Sequence, residues 1–382
     1  MQKIAIIGAN EFQNPLILKA KEMGFETHVF AWEAGDIGER TADVFHPISI
    51  IEKDRILDEC RKICPSAVVT IASDLAAVTV QYVAKNLGLT CNSDRCREVS
   101  TNKGEMRKAF EKHGVPVPGF RSVGPDDDLS FLDTFAFPII VKPTDRSGSR
   151  SITKLETPDG VSEAVACAVR DSFENRAIIE EYIEGDEYSC ESISHDGQHH
   201  FLAITKKYTT GAPHFIETAQ LEPAGFDPEM ERRIVSVIFN ALDALEITEG
   251  ASHSEFKVDS DGNIRIIEIG ARMGGDCIGS DLVMLSTGYD FVKMVIEVAL
   301  GLAPSFTKVC DPSAAAIRFI FDGADIEHLN ELEKNDRECI WRKSEIEDPG
   351  DHPVTDSSSR HGFYIIRKKT AAEAAEMIGY TL

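Results

Sequence analysis

Two glutamates on neighbouring strands are the residues best suited to bind a metal ion. The segment HSEFKVDSDGNIRIIEIGARMGG predicts two strands joined by a turn at Asp261–Gly262, with Glu255 on the first and Glu268 on the second. Their neighbours, such as Phe256, are apolar, and two facing carboxylates in apolar surroundings need a cation between them. Mg²⁺ prefers such oxygen ligands. The alternative interpretation is a pair of exposed strand carboxylates.

An arginine and a lysine lie where they could bind phosphate or carboxylate groups. Arg272 follows the second glutamate strand, and a guanidinium can hold either group through two parallel hydrogen bonds. Lys142 ends the apolar strand PIIVKP, and the Ser/Gly-rich loop Asp145–Ser151 comes next. Glycine and serine let backbone N–H groups approach phosphate oxygens closely. The alternative interpretations are a surface arginine for Arg272 and an ordinary hairpin loop for Asp145–Ser151.

The segment AIIEEYIEGDEYSCES could bind a nucleoside. A buried strand, Ala177–Ile179, leads into Glu180 and Glu181, and the backbone there could contact an adenine ring. Glu187 could accept hydrogen bonds from ribose hydroxyl groups. An acidic surface turn is the alternative.

The first ninety residues predict a parallel sheet, which would position some of these side chains. Short apolar runs alternate with helical patterns, a pattern typical of a sheet covered by helices on both faces. We predict the strands and helices Ile4–Gly8, Asn14–Met23, Thr27–Trp32, Asp54–Cys64, Ala67–Ile71 and Leu75–Leu87. GANEFQNP follows the first strand instead of the GxGxxG fingerprint, which argues against a nicotinamide cofactor and an oxidoreductase.

The rest of the chain divides at a Pro/Gly-rich connector. A predicted helix, Thr101–His113, precedes GVPVPGF, and a smaller mixed unit of strands and one helix follows. Asp348–Ser359 is polar and predicts a mobile surface loop. The predicted units are an N-terminal α/β domain at 1–95, a helical linker at 96–116, a lid at 117–186, a central unit with the metal site at 187–300 and a C-terminal α/β unit at 301–382.

Composition narrows the class of partner. The net charge of −24 argues against nucleic acid, which requires a basic surface. No apolar run approaches the roughly 20 residues needed to cross a bilayer, so we expect no membrane partner. The nine cysteines are scattered and follow no signal peptide, which indicates a cytoplasmic protein with reduced thiols.

Together these segments resemble the ATP-grasp superfamily. The resemblance covers roughly residues 1–300 and rests on TNKGEMR, the VKP strand with its loop, EEYIEGDE and IIEIGARMGG in this order. Within the superfamily, HFIETAQLEPA and ARMGGDCIGSDLVMLSTG are most similar to the carboxylate–amine ligases that include the L-amino acid ligases. The resemblance implies an ATP-grasp fold, ATP and Mg²⁺ as cofactors with Mn²⁺ as a substitute, and a homodimer.

The resemblance also implies roles for individual residues. Arg272 and Lys142 would be the catalytic residues, with Arg272 stabilising the transferring phosphoryl group. Glu255 and Glu268 would bind Mg²⁺. His253, Arg272, Gly274 and Gly275 would contact substrate, although a structural role for His253 is the alternative. The implied ATP-binding residues are Lys103, Lys142, Ser147, Gly148, Ser149, Ser151, Glu180, Glu181, Ile183 and Glu187.

Two positions depart from the pattern of the superfamily. Its third metal ligand is commonly an Asn two residues after the second glutamate, where this chain has Gly270. The loop also reads SGSRSI, with Ser151 where many relatives have a second glycine. A weaker metal site and a stiffer loop are the expected consequences.

The resulting expectation is an enzyme that forms an amide in two steps. A carboxylate takes the γ-phosphoryl group of ATP to form an acyl phosphate, and an amine then displaces phosphate. Both substrates are small molecules, and a dipeptide is the first candidate product. The alternatives are a purine-pathway enzyme that carboxylates or formylates a ribonucleotide amine, and an inactive nucleotide-binding sensor.

Overall fold

The computed structural model describes residues 1–146, 148 and 151–382 and begins with a four-stranded parallel sheet. The strand order is β3-β2-β1-β4. Its strands are β1 (Lys3–Ile7), β2 (Glu26–Ala31), β3 (Val44–Pro47) and β4 (Ala67–Val69). Its helices are α1 (Asn14–Glu22), α2 (Ile37–Thr41), α3 (Lys53–Ile63) and α4 (Asp74–Leu87). The alternating pattern therefore predicted these elements within a few residues, but α2 and β3 were not predicted.

Both faces of this sheet are buried, but against different neighbours. Ile4 and Ile6 belong to a core that also contains residues of the large central sheet, among them Ile193. Ala5 and Ile7 pack into a second core with α3 and α4. Since successive side chains of a strand point to opposite faces, β1 joins both cores. The N-terminal sheet therefore packs directly against the rest of the protein.

Two short helices lead out of this sheet, where the sequence predicted a single helix over Thr101–His113. The first, α5, spans Asp94–Thr101, and the second, α6, spans Lys103–Lys112. Asn102 separates them because its extended backbone ends α5 and its side-chain oxygen accepts a hydrogen bond from the N–H of Glu105. This N-cap fixes the start of α6, so Lys103 occupies its first turn.

A second, antiparallel sheet follows in the predicted lid. Its order is β5-β8-β6-β7, and one helix packs against it. The elements are β5 (Phe120–Val123), β6 (Ile139–Pro143), β7 (Thr153–Leu155), α7 (Val161–Asp171) and β8 (Ala177–Glu181), with a 3₁₀ turn at Ser130–Thr134. The lid has its own apolar core between α7 and the sheet. It can therefore keep its internal packing if it moves.

The third sheet has eight antiparallel strands in the order β13-β12-β9-β10-β11-β14-β16-β15. They are β9 (Asp186–His195), β10 (Gln198–Thr209), β11 (Glu217–Glu222), β12 (Gly250–Val258), β13 (Ile264–Gly270), β14 (Ala314–Phe319), β15 (Ile340–Lys343) and β16 (Phe363–Lys368). Strands from beyond residue 301 thus continue the sheet that carries Glu255 and Glu268. The domain boundaries predicted from the sequence stay predictions.

Helices cover this large sheet and complete its cores. They are α8 (Pro228–Ala244), α9 (Val283–Thr287), α10 (Phe291–Ala299), α11 (Gly323–Asn335) and α12 (Ala371–Met377), with a π-helical turn at Ile278–Leu282 and 3₁₀ turns at Arg337–Cys339 and Ser357–Ser359. Among the helices of the described residues, none has the length and apolar character that crossing a bilayer requires.

Candidate functional site

A cavity opens between the lid and the central sheet, and α6 forms part of its wall. Its empty volume is about 990 Å³, including the open solvent space at its mouth. Nine of the residues predicted to bind ATP or metal line it: Lys103, Lys142, Gly148, Glu180, Glu181, Ile183, Glu187, Glu255 and Glu268. The fold therefore brings together residues that span 165 positions of the chain, from Lys103 to Glu268.

Glu255 and Glu268 face each other across two strands, as the hairpin pattern predicted. They are register partners on β12 and β13, and the register shifts directly after Glu255. Phe256, Ile266 and Ile269 on the same strands belong to an apolar core. The two carboxylates are therefore the polar members of otherwise apolar strands, directed at the cavity.

Each of these carboxylates has a lysine partner. Lys103 Nζ lies 2.8 Å from Glu268 Oε1 and also donates to the carbonyl oxygen of Arg146 at 2.6 Å. Lys207 Nζ lies 2.6 Å from Glu255 Oε1. Burial opposes the charged form of Glu255, but Lys207 and His253 outweigh it and hold the pKa of Glu255 well below its usual range. Glu255 is therefore anionic at neutral pH, and its carboxylate attracts a cation.

Lys207 is a central residue of the site that the sequence analysis missed. Its ammonium also lies 3.3 Å from Glu187 and 3.3 Å from Glu217, in addition to Glu255. Its side chain is only 3% exposed, and although burial opposes its charge, the three glutamates raise its pKa well above the usual range. For Glu187, burial outweighs the attraction of Lys207 and raises its pKa. One buried cation thus holds three acidic side chains together.

Glu180 and Lys142 form a second buried charge cluster with Arg107. Arg107 Nε donates to Glu180 Oε1, and Lys142 Nζ lies 2.7 Å from Glu180 Oε2. Burial disfavours the charged carboxylate, but the two cations outweigh it and lower the pKa of Glu180 to about 2. The carboxylate therefore positions two cations in the cavity wall, and its predicted contact with adenine stays a prediction.

Arg107 could have been found from the sequence. It lies four residues after Lys103 in TNKGEMR, and residues four apart share one face of a helix. Its Nη2 donates to the carbonyl oxygen of Ile267, next to Glu268, at 2.8 Å. Lys207 offers no comparable signal, because KKYTT is an ordinary strand pattern and its partners are distant in sequence.

The strand end that was predicted to bind adenine lines the cavity at Glu181, Tyr182 and Ile183. The carboxylate of Glu181 accepts hydrogen bonds from the backbone N–H groups of Gly119, at 3.2 Å, and Ala136, at 2.9 Å. This side chain therefore fastens the start of the lid to β8. Its backbone and that of Ile183 remain the predicted adenine contacts.

The Ser/Gly-rich loop is described in part. Gly148 lines the cavity with a left-handed φ of +75°, which glycine adopts without strain. Ser151 also has a left-handed backbone, with φ of +54°, and its hydroxyl donates to the carboxylate of Asp171 at the end of α7. Ser147 and Ser149 lie outside the described residues, so their predicted contacts with phosphate stay predictions.

Arg272 is held by the N-terminal domain. Its Nε and Nη2 donate to the two carboxylate oxygens of Asp74 at 2.8 and 3.0 Å. Burial works against both charges, yet their attraction lowers the pKa of Asp74 and raises that of Arg272. Arg272 is not among the described residues that line this cavity, and its partner Asp74 is the first residue of α4. The sequence did not predict the pairing of Asp74 with Arg272.

His253 is buried between two carboxylates. Its Nδ1 contacts Glu191, and its Nε2 lies 3.3 Å from Glu255. Burial disfavours the imidazolium, but Glu191 outweighs it and raises the pKa of His253 to about 9. Gly274 donates its N–H to Glu191 at 2.9 Å, and a Cβ there would lie 2.8 Å from both Glu191 and His253. The glycine therefore permits a close approach of backbone to this pair, while Gly275 packs beside Ala72.

The position of Asp74 explains why residue 270 is glycine, where the superfamily commonly has Asn. A Cβ at position 270 would lie 2.6 Å from Asp74 Oδ1, so the aspartate occupies the space that another side chain would need. The pair Glu255 and Glu268 still supplies the oxygen donors that Mg²⁺ prefers, in a setting already compensated by lysine. These residues therefore fit a divalent cation.

Comparisons with known proteins agree with this geometry. Residues 135–281 match the family model described as the ATP-grasp domain. The chain is 26% identical over 292 residues to alanine–anticapsin ligase of Bacillus subtilis strain 168, covering 67% of this chain and 61% of that one. It is 29% identical over 188 residues to D-alanine–D-alanine ligase of Hydrogenovibrio crunogenus, covering 46% and 56%. The chain thus spans about three fifths of the length of these relatives.

Solved structures extend the similarity to nearly the whole chain. L-amino acid ligase from Bacillus licheniformis superposes with a TM-score of 0.84 and 24% identity, covering 99% of this chain and 97% of that one. Phosphoribosylglycinamide synthetase from Anaerococcus prevotii superposes with a TM-score of 0.79 and 19% identity, covering 98% and 96%. The predicted ATP-grasp fold and the resemblance to its carboxylate–amine ligases are confirmed, and the named relatives are ligases, as predicted.

Proposed function

We propose that this chain, a member of the ATP-grasp superfamily, is an ATP-dependent carboxylate–amine ligase that works through an acyl phosphate. The observation that carries the proposal is the cross-strand pair of Glu255 and Glu268, which shares one cavity with Lys103 and Lys142. Paired carboxylates beside two ammonium groups suit a metal-bound polyphosphate better than a neutral ligand.

ATP would lie along the cavity between the lid and the central sheet. Lys103, Lys142 and the loop around Gly148 would contact its phosphates, and the strand end from Glu181 to Ile183 would contact adenine. Glu187 would accept hydrogen bonds from the ribose. The Arg107–Glu180–Lys142 cluster supports this arrangement because it fixes the lysine in the wall.

Glu255 and Glu268 would hold Mg²⁺, for which Mn²⁺ can substitute. When bound, the metal would neutralise phosphate charge during phosphoryl transfer. The protein's own cations act alongside it, because Lys103 lies 2.8 Å from Glu268 and therefore sits at the metal end of the cavity.

The reaction would take place in two steps. A carboxylate oxygen attacks the γ-phosphorus of ATP; a new O–P bond forms, the bond to the β-phosphate oxygen breaks, and ADP leaves. An amine nitrogen then attacks the acyl carbon, the amide forms, phosphate leaves, and the nitrogen loses a proton. Arg272 would stabilise negative charge in both steps, and the two hydrogen bonds that it donates to Asp74 fix the plane of its guanidinium.

The lid would exclude water, which otherwise hydrolyses an acyl phosphate. Its separate core lets it move as one piece about the connector at Val115–Phe120. Glu181 supports this, since its carboxylate binds the backbone on both sides of β5 and keeps the lid intact.

We further propose that both substrates are amino acids and the product a dipeptide. The names of the relatives support this, because alanine–anticapsin ligase and D-alanine–D-alanine ligase are both named for joining alanine to a second molecule. His253, Gly274 and Gly275 would contact these substrates beside Arg272. A purine-pathway reaction remains the second candidate, favoured by the fold similarity to phosphoribosylglycinamide synthetase. We expect a cytoplasmic homodimer in either case.

The test is release of ADP and phosphate from ATP and Mg²⁺ in the presence of pooled amino acids. Glu268→Gln removes one charge with little change of shape and should lower turnover roughly 100-fold or more. Glu184→Gln, the same exchange at an exposed position near the cavity, should retain activity. Mass spectrometry of the products would identify the amide.

The outcomes separate the candidates. Release that depends on amino acids and is lost in Glu268→Gln supports the dipeptide ligase. Release that requires a ribonucleotide amine instead indicates the purine-type reaction. ATP binding without turnover under either condition indicates a nucleotide sensor, and absence of ATP binding refutes the proposal.

A further inference from the structure

A cluster of two histidines and a glutamate lies in the segment between β15 and β16, far along the chain from the cavity residues. Glu347 and His361 are held opposite each other by the backbone, since Glu347 N–H donates to the carbonyl of His361 at 2.8 Å. The N–H of His361 in turn donates, at 3.0 Å, to the carbonyl oxygen of Ile320, which directly follows β14. Main-chain hydrogen bonds therefore fix the backbone of two members of the cluster, Glu347 and His361.

The third member, His352, reaches back from the loop. Its Nε2 lies 3.1 Å from Glu347 Oε2, and its ring lies 4.4 Å from that of His361, centroid to centroid. The potential ligand atoms of all three residues lie within 4.8 Å of one another. Donor atoms on one tetrahedral zinc ion are roughly 3.3 Å apart, so small side-chain rotations would complete the geometry.

His361 gives an independent reason to expect a ligand. The residue is 1% exposed, yet its Nδ1 has no hydrogen-bond partner within the described part of the chain. Buried polar atoms are nearly always paired, because leaving one unpaired is costly. A second cluster, His195 with Asp196 and Glu249, has no such orphan atom; there the histidine Nδ1 already contacts Glu249.

We propose that Glu347, His352 and His361 bind a transition-metal ion of the zinc type. Two imidazoles and one carboxylate are a donor set that Zn²⁺ accepts with water as the fourth ligand, whereas Mg²⁺ prefers oxygen ligands alone. Co²⁺, Ni²⁺ and Cu²⁺ suit the same donors.

The bound ion would stabilise a loop that reaches the cavity. Ser357 Oγ donates to Glu217 Oε2 at 2.7 Å, and Glu217 lines the cavity beside Lys207. Arg360 donates to both carboxylate oxygens of Asp276, at 2.6 and 2.9 Å. A metal at His352 and His361 would brace this loop from its outer side. The role is structural and does not depend on the proposed reaction.

The experiment is a zinc titration of the full chain after removal of metal with a chelator, followed by calorimetry in excess Mg²⁺. Bound Co²⁺ gives a second readout, because its visible absorption reports nitrogen ligands and a low coordination number. His352→Gln and Glu347→Gln change exposed or half-buried groups and leave the buried His361 in place. His195→Gln tests the second cluster, and Glu268→Gln tests the cavity carboxylates.

The unaltered chain should bind one equivalent of zinc. Zinc affinity should be at least roughly 10-fold weaker in both His352→Gln and Glu347→Gln, because even the loss of a residue that only hydrogen-bonds a metal ligand costs that much. Affinity should be unchanged in His195→Gln and Glu268→Gln. No binding by the unaltered chain would overturn the proposal. Binding that survives in the first two variants would overturn it as well, wherever that zinc is held.

Discussion

Replacing Glu180 by glutamine should destabilise the protein in a manner that depends on pH. Glu180 is 3% exposed and bridges Arg107, which is 1% exposed, and Lys142, which is 6% exposed. Glutamine keeps the size of the side chain but removes its charge, so both cations lose their common partner. Truncating one member of a buried charge cluster typically costs about 3–5 kcal/mol.

The magnitude can be worked from the pKa of Glu180, which is about 2 instead of 4.5. At about 1.4 kcal/mol for each pH unit between these values, the charged carboxylate contributes about 3 kcal/mol at neutral pH. Because the folded-state pKa is the lower one, this contribution is present above pH 4.5 and is lost as the pH falls through about 2. At pH 3 about 1.5 kcal/mol should remain.

Urea unfolding at pH 7 and pH 3 measures both values. The difference in free energy of unfolding between the unaltered protein and Glu180→Gln should shrink by about half on going to pH 3. Glu184→Gln is the matched control, because Glu184 is exposed, and surface exchanges usually stay within about 0.5 kcal/mol.

A difference below about 1 kcal/mol at pH 7, or one that does not change with pH, would contradict this reasoning. It would mean that the carboxylate is not the anion that holds the two cations. Glu180 would then be free for the adenine contact implied by the resemblance, and Glu180→Gln should weaken ATP binding without changing stability.

Two further predictions concern buried carboxylates. Burial disfavours the charged form of Glu222 more strongly than hydrogen bonds from the hydroxyls of Thr205 and Ser286 favour it, and raises the pKa of Glu222 to about 8. The neutral carboxyl group therefore stabilises the folded state at low pH, and this stability is lost as the pH rises towards 8. Between pH 6 and 8, thermal or urea unfolding should show Glu222→Gln gaining about 2 kcal/mol relative to the unaltered protein; a constant difference would contradict this. Gly270→Asn should displace Asp74 and destabilise by about 1–3 kcal/mol, and Asp74→Ala in the same chain should recover part of the loss in a double-mutant cycle.

Much of the fold could be predicted because it depends on local patterns. Apolar runs alternating with helical periodicity predicted the N-terminal sheet, and the Asp261–Gly262 turn predicted the hairpin that pairs Glu255 with Glu268. The helix over Thr101–His113 was predicted too long at its start, because its boundary depends on Asn102, whose capping role competes with a continuous helical pattern.

The site features that the sequence did not predict depend on contacts between distant segments. Lys207 acquires its role only when β9, β10, β11 and β12 bring three glutamates around it, and no local pattern encodes that neighbourhood. Asp74 lies 198 residues from Arg272, its partner. Sequence patterns could therefore identify the groups that would act on a ligand, but not the pairing of Lys207 and Asp74 with side chains from distant segments.

The pairing of Asp74 with Arg272 restricts how this protein can change over generations. The segment that matches the ATP-grasp family model, 135–281, contains the arginine but not its carboxylate partner. A recombination event that exchanged the N-terminal domain for an unrelated one would leave a buried guanidinium without its counter-charge and would empty the space beside Gly270. The N-terminal domain and the segment 135–281 are therefore expected to be inherited together, with substitutions at positions 74, 270 and 272 appearing as a correlated set.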